Sequence, residues 1–422
     1  MKVSETNYVL AIVTEDGTQY DISDFAEDLG WEENEKELAT SMSFSVGTDN
    51  PKLNALVKIG CVALVLVAGD ECARAVINKA KQKKSGDKVS MTVSAYDELY
   101  PLQTSEDQLY FSAGQTTKAV LTQIFDEWGI TLGKYDGADA THEKLVFRTG
   151  SLADSILDIL DDAVKKGGSP SVLRASKGQI EVVKRGGNQT VYLFDEDDTI
   201  SVEQETSITE IVTRVKIVGK EDATEGLPPV EAVLNGLTEF GIRQRIYTRE
   251  KDATTEEAQA AAKAILDEKG KVSTTMTVKA PDVPEMRKGD AVFVHIGVIA
   301  DYYYVAGIRH DATTGTMTLD LKEFPMLEKS IDKLADLGVL NSPDYWKEHA
   351  EDTAYVDALI EKSAAVITEN GPRCASVEEG VKALTEAGII TTPAYWIDKG
   401  GNVGELIKAL GGAVLASGAS VT

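Results

Sequence analysis

Four histidines, three cysteines and a large store of carboxylates are the side chains through which this sequence would do chemistry. The histidines are His142, His295, His310 and His349. None falls in an H-E-x-x-H motif, where two imidazoles one helical turn apart would face one zinc ion, and none neighbours a cysteine at zinc-ligand spacing. His295 and His310 sit on successive strand segments and could approach each other across a β-meander. Without a carboxylate motif beside them they read as structural. Cys61, Cys72 and Cys374 contain no C-x-x-C. Cys61 and Cys72 flank one hairpin and could face each other, but reduced, buried thiols are the expectation. The run Asp195-Glu196-Asp197-Asp198 lacks the alternating ligands, central glycine and terminal glutamate of a calcium loop, so it reads as a solvated acidic turn. The chain holds 69 acidic residues, so pairs suited to glycoside hydrolysis abound and no pair stands out. G-x-S-x-G, P-loop and dinucleotide motifs are absent from the sequence. No catalytic, cofactor-binding or metal site is expected.

The elements that would have to hold any site are mainly strands. In residues 287–324, Val292, Val294 and Ile296 alternate with Ala291, Phe293 and His295. Tyr302, Tyr304, Ala306 and Ile308 then alternate with Tyr303, Val305 and Arg309. Beyond a turn at 311–315, Met317, Leu319 and Leu321 alternate with Thr316, Thr318, Asp320 and Lys322. Such period-two patterns between turn residues predict a half-buried antiparallel meander. The same outline appears upstream: a strand at 62–68, a Gly69-Asp70 turn, a return at 73–77, a basic loop at 79–88, then Val89, Met91, Val93 and Ala95. The chain thus carries two copies of one small β unit.

Around these units four segments are predicted. Residues 1–105 form a first β domain, with a strand at 8–13, another at 41–46, and an acidic loop or strand edge at 31–37. Residues 106–199 form an α/β module. Its first helix sets Val120, Leu121, Ile124 and Trp128 on one face. Its second opens at a capping box, Ser151-x-x-Asp154, with Ile156, Leu157, Leu160 and Val164 inward. Strands at 171–175, 180–183 and 191–194 complete it. Residues 200–325 form the second β domain and include an alanine-rich helix at 255–268. Residues 326–422 carry a helical repeat at an offset of fifty, in which LADLGVLNSPDYWKEH matches LTEAGIITTPAYWIDK. Tyr345, Trp346, Tyr395 and Trp396 are its expected core, since a helical hairpin buries its apolar face only against a neighbour. The fold class is α+β.

Composition narrows the function. At 422 residues the chain is long enough for about two to four domains. Its 43 basic and 69 acidic residues give −26, which argues against a nucleic-acid surface, because such a surface needs clustered cations. The N-terminal apolar run is too short for a signal peptide. No window approaches the ~20 apolar residues of a membrane helix. Assembly in the cytoplasm without membrane insertion is the expectation.

Several blocks recur together elsewhere in the same order: AYDELYPLQTSEDQLYF, DEWGI, EIVTRVKIVGK, TEFGIRQRIYT and KGD…YYYVAGIRHD…GTMTLDL. In residues 1 to about 325 the chain resembles the baseplate hub proteins of contractile phage tails and phage-tail-like bacteriocins, the late-control-D-like group. Tyr96, Asp97, Tyr100, Pro101, Gly289, Asp290 and Gly315 lie in the matching blocks and are its candidate structural residues. The Pro-Tyr-Trp repeat is similar to an appendage of clostridial-type phage proteins. The resemblance implies a non-enzymatic homotrimer in which each chain supplies two tube-like, barrel-like β domains. Three chains then make a pseudo-sixfold ring between the tail tube protein and a central spike protein, among other baseplate proteins of a virion or tail-like particle. The alternative is a tail-associated peptidoglycan hydrolase or a cell-wall-binding tail protein.

Overall fold

The computed structural model describes residues 2–47, 51–85, 88–148, 150–166, 168–188, 190–219, 227–249, 254–297 and 299–323. Beyond these it describes 331, 334–335, 339–342, 346, 359, 362–363, 374 and 376–386. The chain divides into two units, Met1–Glu323 and Phe324–Thr422.

The first unit opens with β1 (Tyr8–Val13), β2 (Gln19–Asp21), β3 (Ala26–Asn34), β4 (Ser41–Gly47), α1 (Pro51–Leu56), β5 (Val62–Val67), β6 (Asp70–Ser85) and β7 (Lys88–Tyr96). Next come α2 (Tyr100–Thr104), β8 (Leu109–Phe111), α3 (Thr117–Glu127), β9 (Leu132–Tyr135), β10 (Leu145–Phe147), α4 (Leu152–Lys165), β11 (Ser171–Ser176) and β12 (Gln179–Lys184). The remainder is β13 (Tyr192–Asp195), β14 (Ser201–Ser207), β15 (Arg214–Val218), β16 (Val230–Asn235), β17 (Gln244–Thr248), α5 (Thr255–Lys269), β18 (Ser273–Pro281), β19 (Ala291–Ile296), β20 (Ile299–Asp311) and β21 (Thr316–Glu323).

Mostly antiparallel β-structure results. Thirteen strands form one sheet with the order β14-β18-β21-β20-β3-β4-β7-β6-β5-β1-β2, and β19 and β13 branch from β20. Among the described residues no barrel closes, which corrects the expectation of two barrel-like domains. The reason is a seam: β20 pairs antiparallel with β3, from Gly307 opposite Asn34 to Asp311 opposite Gly30. Gly30 permits that approach, because a Cβ there would lie 2.9 Å from the His310 carbonyl oxygen.

The two copies of the β unit are visible in the topology. Neighbours run β3-β4-β7-β6-β5-β1 in the first half and β14-β18-β21-β20-β19-β13 in the second, with the strands met in the same chain order. Each meander is interrupted at the matching place, between Ile77 and Lys79 in one and between Val305 and Gly307 in the other. The halves differ in their first strand, since β1 lies antiparallel to β5 whereas β13 lies parallel to β19.

Four further readings are corrected. Residues 79–85 are not loop but the second half of β6, paired with β7 from Lys79 opposite Ser94 to Ser85 opposite Lys88. Lys79, Lys81, Lys83 and Lys84 are exposed, so no apolar alternation marks this strand, and ladder hydrogen bonds alone define it. Residues 31–34 end β3 inside the sheet, with Trp31 and Glu33 buried. The strand at 191–194 leaves the α/β module to pair with β19. His295 faces Ala300 while His310 lies between Met317 and Trp31, so the two imidazoles do not meet.

Between the halves, α3 and α4 pack with the sheet β11-β12-β9 through Leu121, Ile124, Phe125, Ile156, Ile159 and Ile180. Both helices start on hydroxyl caps: Thr116 accepts from the Ala119 N–H and Ser151 from the Asp154 N–H. The inward face of α4 runs through Leu152, Ile156, Ile159 and Leu160, and Leu157 and Val164 are half-buried. A smaller sheet, β16-β15-β17, is covered on one face by α5 through Val215, Ile217, Ala258 and Ala262.

In the second unit a helix, α6 (Val377–Glu386), buries Val381 and Leu384. Leu334, Val339 and Leu340 are also buried. Trp346 is half-buried. Tyr345, Tyr395 and Trp396, with which it was expected to form a repeat core, lie outside the described residues.

Candidate functional site

Lys288-Gly289-Asp290 occupies the loop before β19, and the charged groups of the first unit converge there. Gly289 holds φ +87, and a Cβ on it would fall 2.6 Å from Cγ2 of Val172 in β11. Only glycine meets both demands. Its N–H donates to the Val305 carbonyl and its own carbonyl accepts from the Gly186 N–H, so one residue ties the α/β module to the second β half.

The flanking side chains extend the tie to the first half. Asp290 accepts from Arg174 Nη2 at 2.6 Å and from the Arg287 N–H at 3.0 Å. Arg174 Nε donates to the Lys288 carbonyl at 2.7 Å. Lys288 Nζ reaches the carbonyls of Leu38 and Glu37 just beyond β3 at 2.8 and 3.1 Å, and that of Asn34 at its end at 3.5 Å. Its backbone N–H donates to Glu33 Oε2. Arg287 donates to Glu33 Oε1 and to the Ala175 carbonyl.

Burial sets the electrostatics. Glu33 is 1% exposed. Desolvation would push its carboxyl up, but Arg287, then Lys288 and Arg174, overrides that and holds it down to about 2. Burial pulls the Lys288 ammonium below its ordinary value against the opposing charges of Glu33 and Asp97. Burial also raises the Asp97 carboxyl, although it accepts from the Thr40 and Leu99 N–H groups at 2.9 and 3.0 Å. Two buried carboxylates of one cluster are thus shifted in opposite directions, because Glu33 has a guanidinium directly on it and Asp97 has only neutral donors.

Of the residues singled out in the sequence, Asp97, Gly289 and Asp290 belong to this junction. Tyr96 and Tyr100 stack beside it in the chain at 4.0 Å between ring centres, and Pro101 opens α2. Gly315 stands apart: at φ +64 it closes the β20–β21 turn with its N–H on the Asp311 carbonyl. Sequence reading missed Glu33, Arg174 and Arg287, because their partners lie more than a hundred residues away.

The junction has no room for a substrate. A cavity of about 20 Å³ lined by Glu33, Thr40, Arg74, Asp97 and Arg287 fits roughly one water, far below the several hundred Å³ of an ordinary ligand site. Its chemistry is cohesion.

A second cluster has the geometry of a nucleophile, base and acid. Thr117 Oγ1 lies 2.9 Å from His142 Nε2, and His142 Nδ1 lies 2.6 Å from Asp162 Oδ2. Desolvation would raise Asp162, but hydrogen bonds from Lys166 and His142 outweigh it and keep the carboxyl below its ordinary value. The carboxylate draws the ring proton to Nδ1 and turns Nε2 toward the hydroxyl. Yet Thr117 is fully buried at the start of α3 and its hydroxyl also touches the Ala140 carbonyl at 3.2 Å. No carbonyl carbon of a substrate can reach it. The cluster pins residues 139–142 between α3 and α4.

His310 is likewise closed in. Its Nδ1 lies 2.6 Å from Asp282 Oδ1, its Nε2 lies 3.2 Å from the Met286 carbonyl oxygen, and its ring stacks on Trp31. Cys61 is buried and Cys72 half-buried, both free. Among the described residues no group of three or more His, Cys, Asp or Glu side chains is placed to hold a metal ion, and no helix is long and apolar enough to cross a membrane.

Comparison with known proteins fits this arrangement. The family model described as YQBQ-like matches residues 29–322. No curated protein matches the chain. Among solved structures, a tail protein from Neisseria meningitidis MC58 is similar with TM-score 0.56 at 15% identity, covering 75% of this chain and 96% of that one. The 43 kDa tail protein of prophage MuSo2 from Shewanella oneidensis is similar with TM-score 0.58 at 12% identity, covering 75% and 98%. At such identities the likeness is one of fold.

Proposed function

Because the chain belongs to the YQBQ-like family, a family of phage tail proteins, we propose that it is a structural protein of the tail and, more narrowly, its baseplate hub. Three copies form a pseudo-sixfold ring that joins the sixfold tail tube to a trimeric central spike, within a virion or a tail-like particle. The observation that carries this reading is the doubled β unit. Two six-strand sets with one neighbour order lie in one sheet of one chain, so three chains supply six like sets on one side and three repeats on the other. Closed cyclic symmetry is the usual end of such an arrangement.

The ionic junction suits a load-bearing part. It fastens both β halves and the α/β module through one connected set of buried charged groups. The closed Thr117–His142–Asp162 cluster favours a non-enzymatic role over a peptidoglycan hydrolase.

The test is a density map of the assembled particle, with zymography of the purified chain on cell walls beside it. Three copies per ring at the tube–spike junction and no wall clearing are expected. Six copies per ring, a location away from that junction, or clearing abolished by one Asp or Glu substitution would overturn the reading.

A further inference from the structure

The two halves of the large sheet are joined in a way that leaves a second, matching pair of edges unused. β20 runs on past its bulge, and residues 307–311 bond β3 of the other half. β6 is the counterpart of β20 and also runs on past its bulge, yet, among the described residues, 79–85 bond only β7. β14 is the counterpart of β3, and among the described residues it bonds only β18. The strands β18, β21, β20, β3, β4 and β7 stand between these two edges, a separation of roughly 30 Å at ordinary strand spacing. The edges therefore face apart within one chain.

The charges on them are complementary. Lys79, Lys81 and Lys83 are exposed on β6, and Glu203 and Glu205 are exposed on β14. None of the five forms an ion pair among the described residues. We infer that β6 of one copy pairs antiparallel with β14 of a second copy of this chain, repeating between copies the seam that β20 and β3 make within one. The inference rests on the ring-forming reading above and names its interface.

The register follows from the repeat. Matching the bulges aligns Lys79, Lys81 and Lys83 with Gly307, Arg309 and Asp311. Carrying the match across β7/β21 and β4/β18 aligns Glu203 and Glu205 with Gly30 and Glu32. Within the chain Arg309 stands opposite Glu32. Between copies the same rule sets Lys81 opposite Glu205 and Lys83 opposite Glu203, where opposed charges favour pairing. A two-fold arrangement would instead set lysine edge against lysine edge, so the contact is head-to-tail. Edge lysines often serve only to prevent strand addition, and the experiment separates that role from this one.

Self-association of the full-length chain is followed by sedimentation velocity, and ring composition by mass measurement of the assembled particle. Lys81→Glu with Lys83→Glu should weaken association roughly tenfold or more, as should Glu203→Lys with Glu205→Lys. All four together should restore it. These positions are exposed, so circular dichroism should remain that of the wild type. If the wild type forms three-copy rings that neither charge reversal weakens, the assigned edges are wrong and the ring reading stands. Weakening by each pair without restoration by the four overturns the opposed register. A wild type that enters the particle as six copies, or stays single there, defeats the ring reading and this interface with it.

Discussion

Glu33 concentrates the residue-scale energetics, since it alone accepts from both Arg287 and Lys288. Glu33→Gln keeps the shape and removes the charge, leaving two buried cations without their closest anion. Breaking such a pair costs about 3–5 kcal/mol, to be read from the urea midpoint at pH 7. The pH dependence has a definite sign. The folded carboxyl is held down to about 2 from an ordinary 4.5, so its contribution is complete above pH 4.5 and is lost as pH falls toward 2. The shift corresponds to about 3 kcal/mol as an order of magnitude. Wild type should therefore lose more stability than Glu33→Gln across that window, and equal acid slopes would refute the assignment. Gly289→Ala should cost about 1–3 kcal/mol, from strained backbone and a clash with the buried Val172 side chain. A melting temperature unchanged in that variant would show that the loop relaxes freely. Asp97, Gly289 and Asp290 were legible as parts of the matching blocks, but not their partnership. The sequence marks the junction's glycine and two of its acids, while Glu33 and Arg174 arrive from β3 and β11.

At the scale of elements, legibility followed burial. The helix beginning at Thr117 and the one beginning at Leu152 carried apolar stripes and hydroxyl caps, and the meander of β19, β20 and β21 carried strict alternation. The elements appear where the patterns put them. The bulge between Val305 and Gly307 nevertheless shifts the faces of β20, so that Tyr303 and Val305, not Tyr302, Tyr304 and Ala306, share the core with Ile308. The outer half of β6 carried no pattern, because its side chains are solvated on an edge. The seam between β3 and β20 was equally silent. Glu33 looks like part of a loop until Arg287 is beside it, and Gly30 is informative only once the His310 carbonyl is known to lie 2.9 Å from its missing Cβ. The seam makes a sharp expectation for hydrogen exchange. Its amides lie in the interior of the sheet, so those of residues 30–34 and 307–311 that bond across it should exchange as slowly as the centre of β7, by global unfolding. Fast exchange confined to those amides would mean that the two β halves open independently. Gly30→Ala should then be the sharpest local probe. It should speed exchange on both seam strands and leave β11 and β12 unaffected.

The whole molecule is acidic, at −26 over 422 residues. The core clusters described in the first unit draw every residue from positions 3–321: one under each β half, one in the α/β module and one beneath α5. Alternation stops at Pro325, and the helical repeat expected beyond it lies mostly outside the described residues. Ending the chain after residue 325 should therefore leave the first unit folded, because the truncation removes no member of those clusters and no partner of the Glu33–Arg287–Lys288 junction. Its unfolding should stay a single cooperative transition by circular dichroism, and its melting temperature should move by only a few degrees, the equivalent of about 1 kcal/mol. The truncated chain should also keep the self-association assigned to β6 and β14, since both edges lie wholly within it. Loss of cooperativity would place residues 326–422 inside the main core. Retained folding without self-association would mean that the second unit, rather than the two charged edges, holds the copies together.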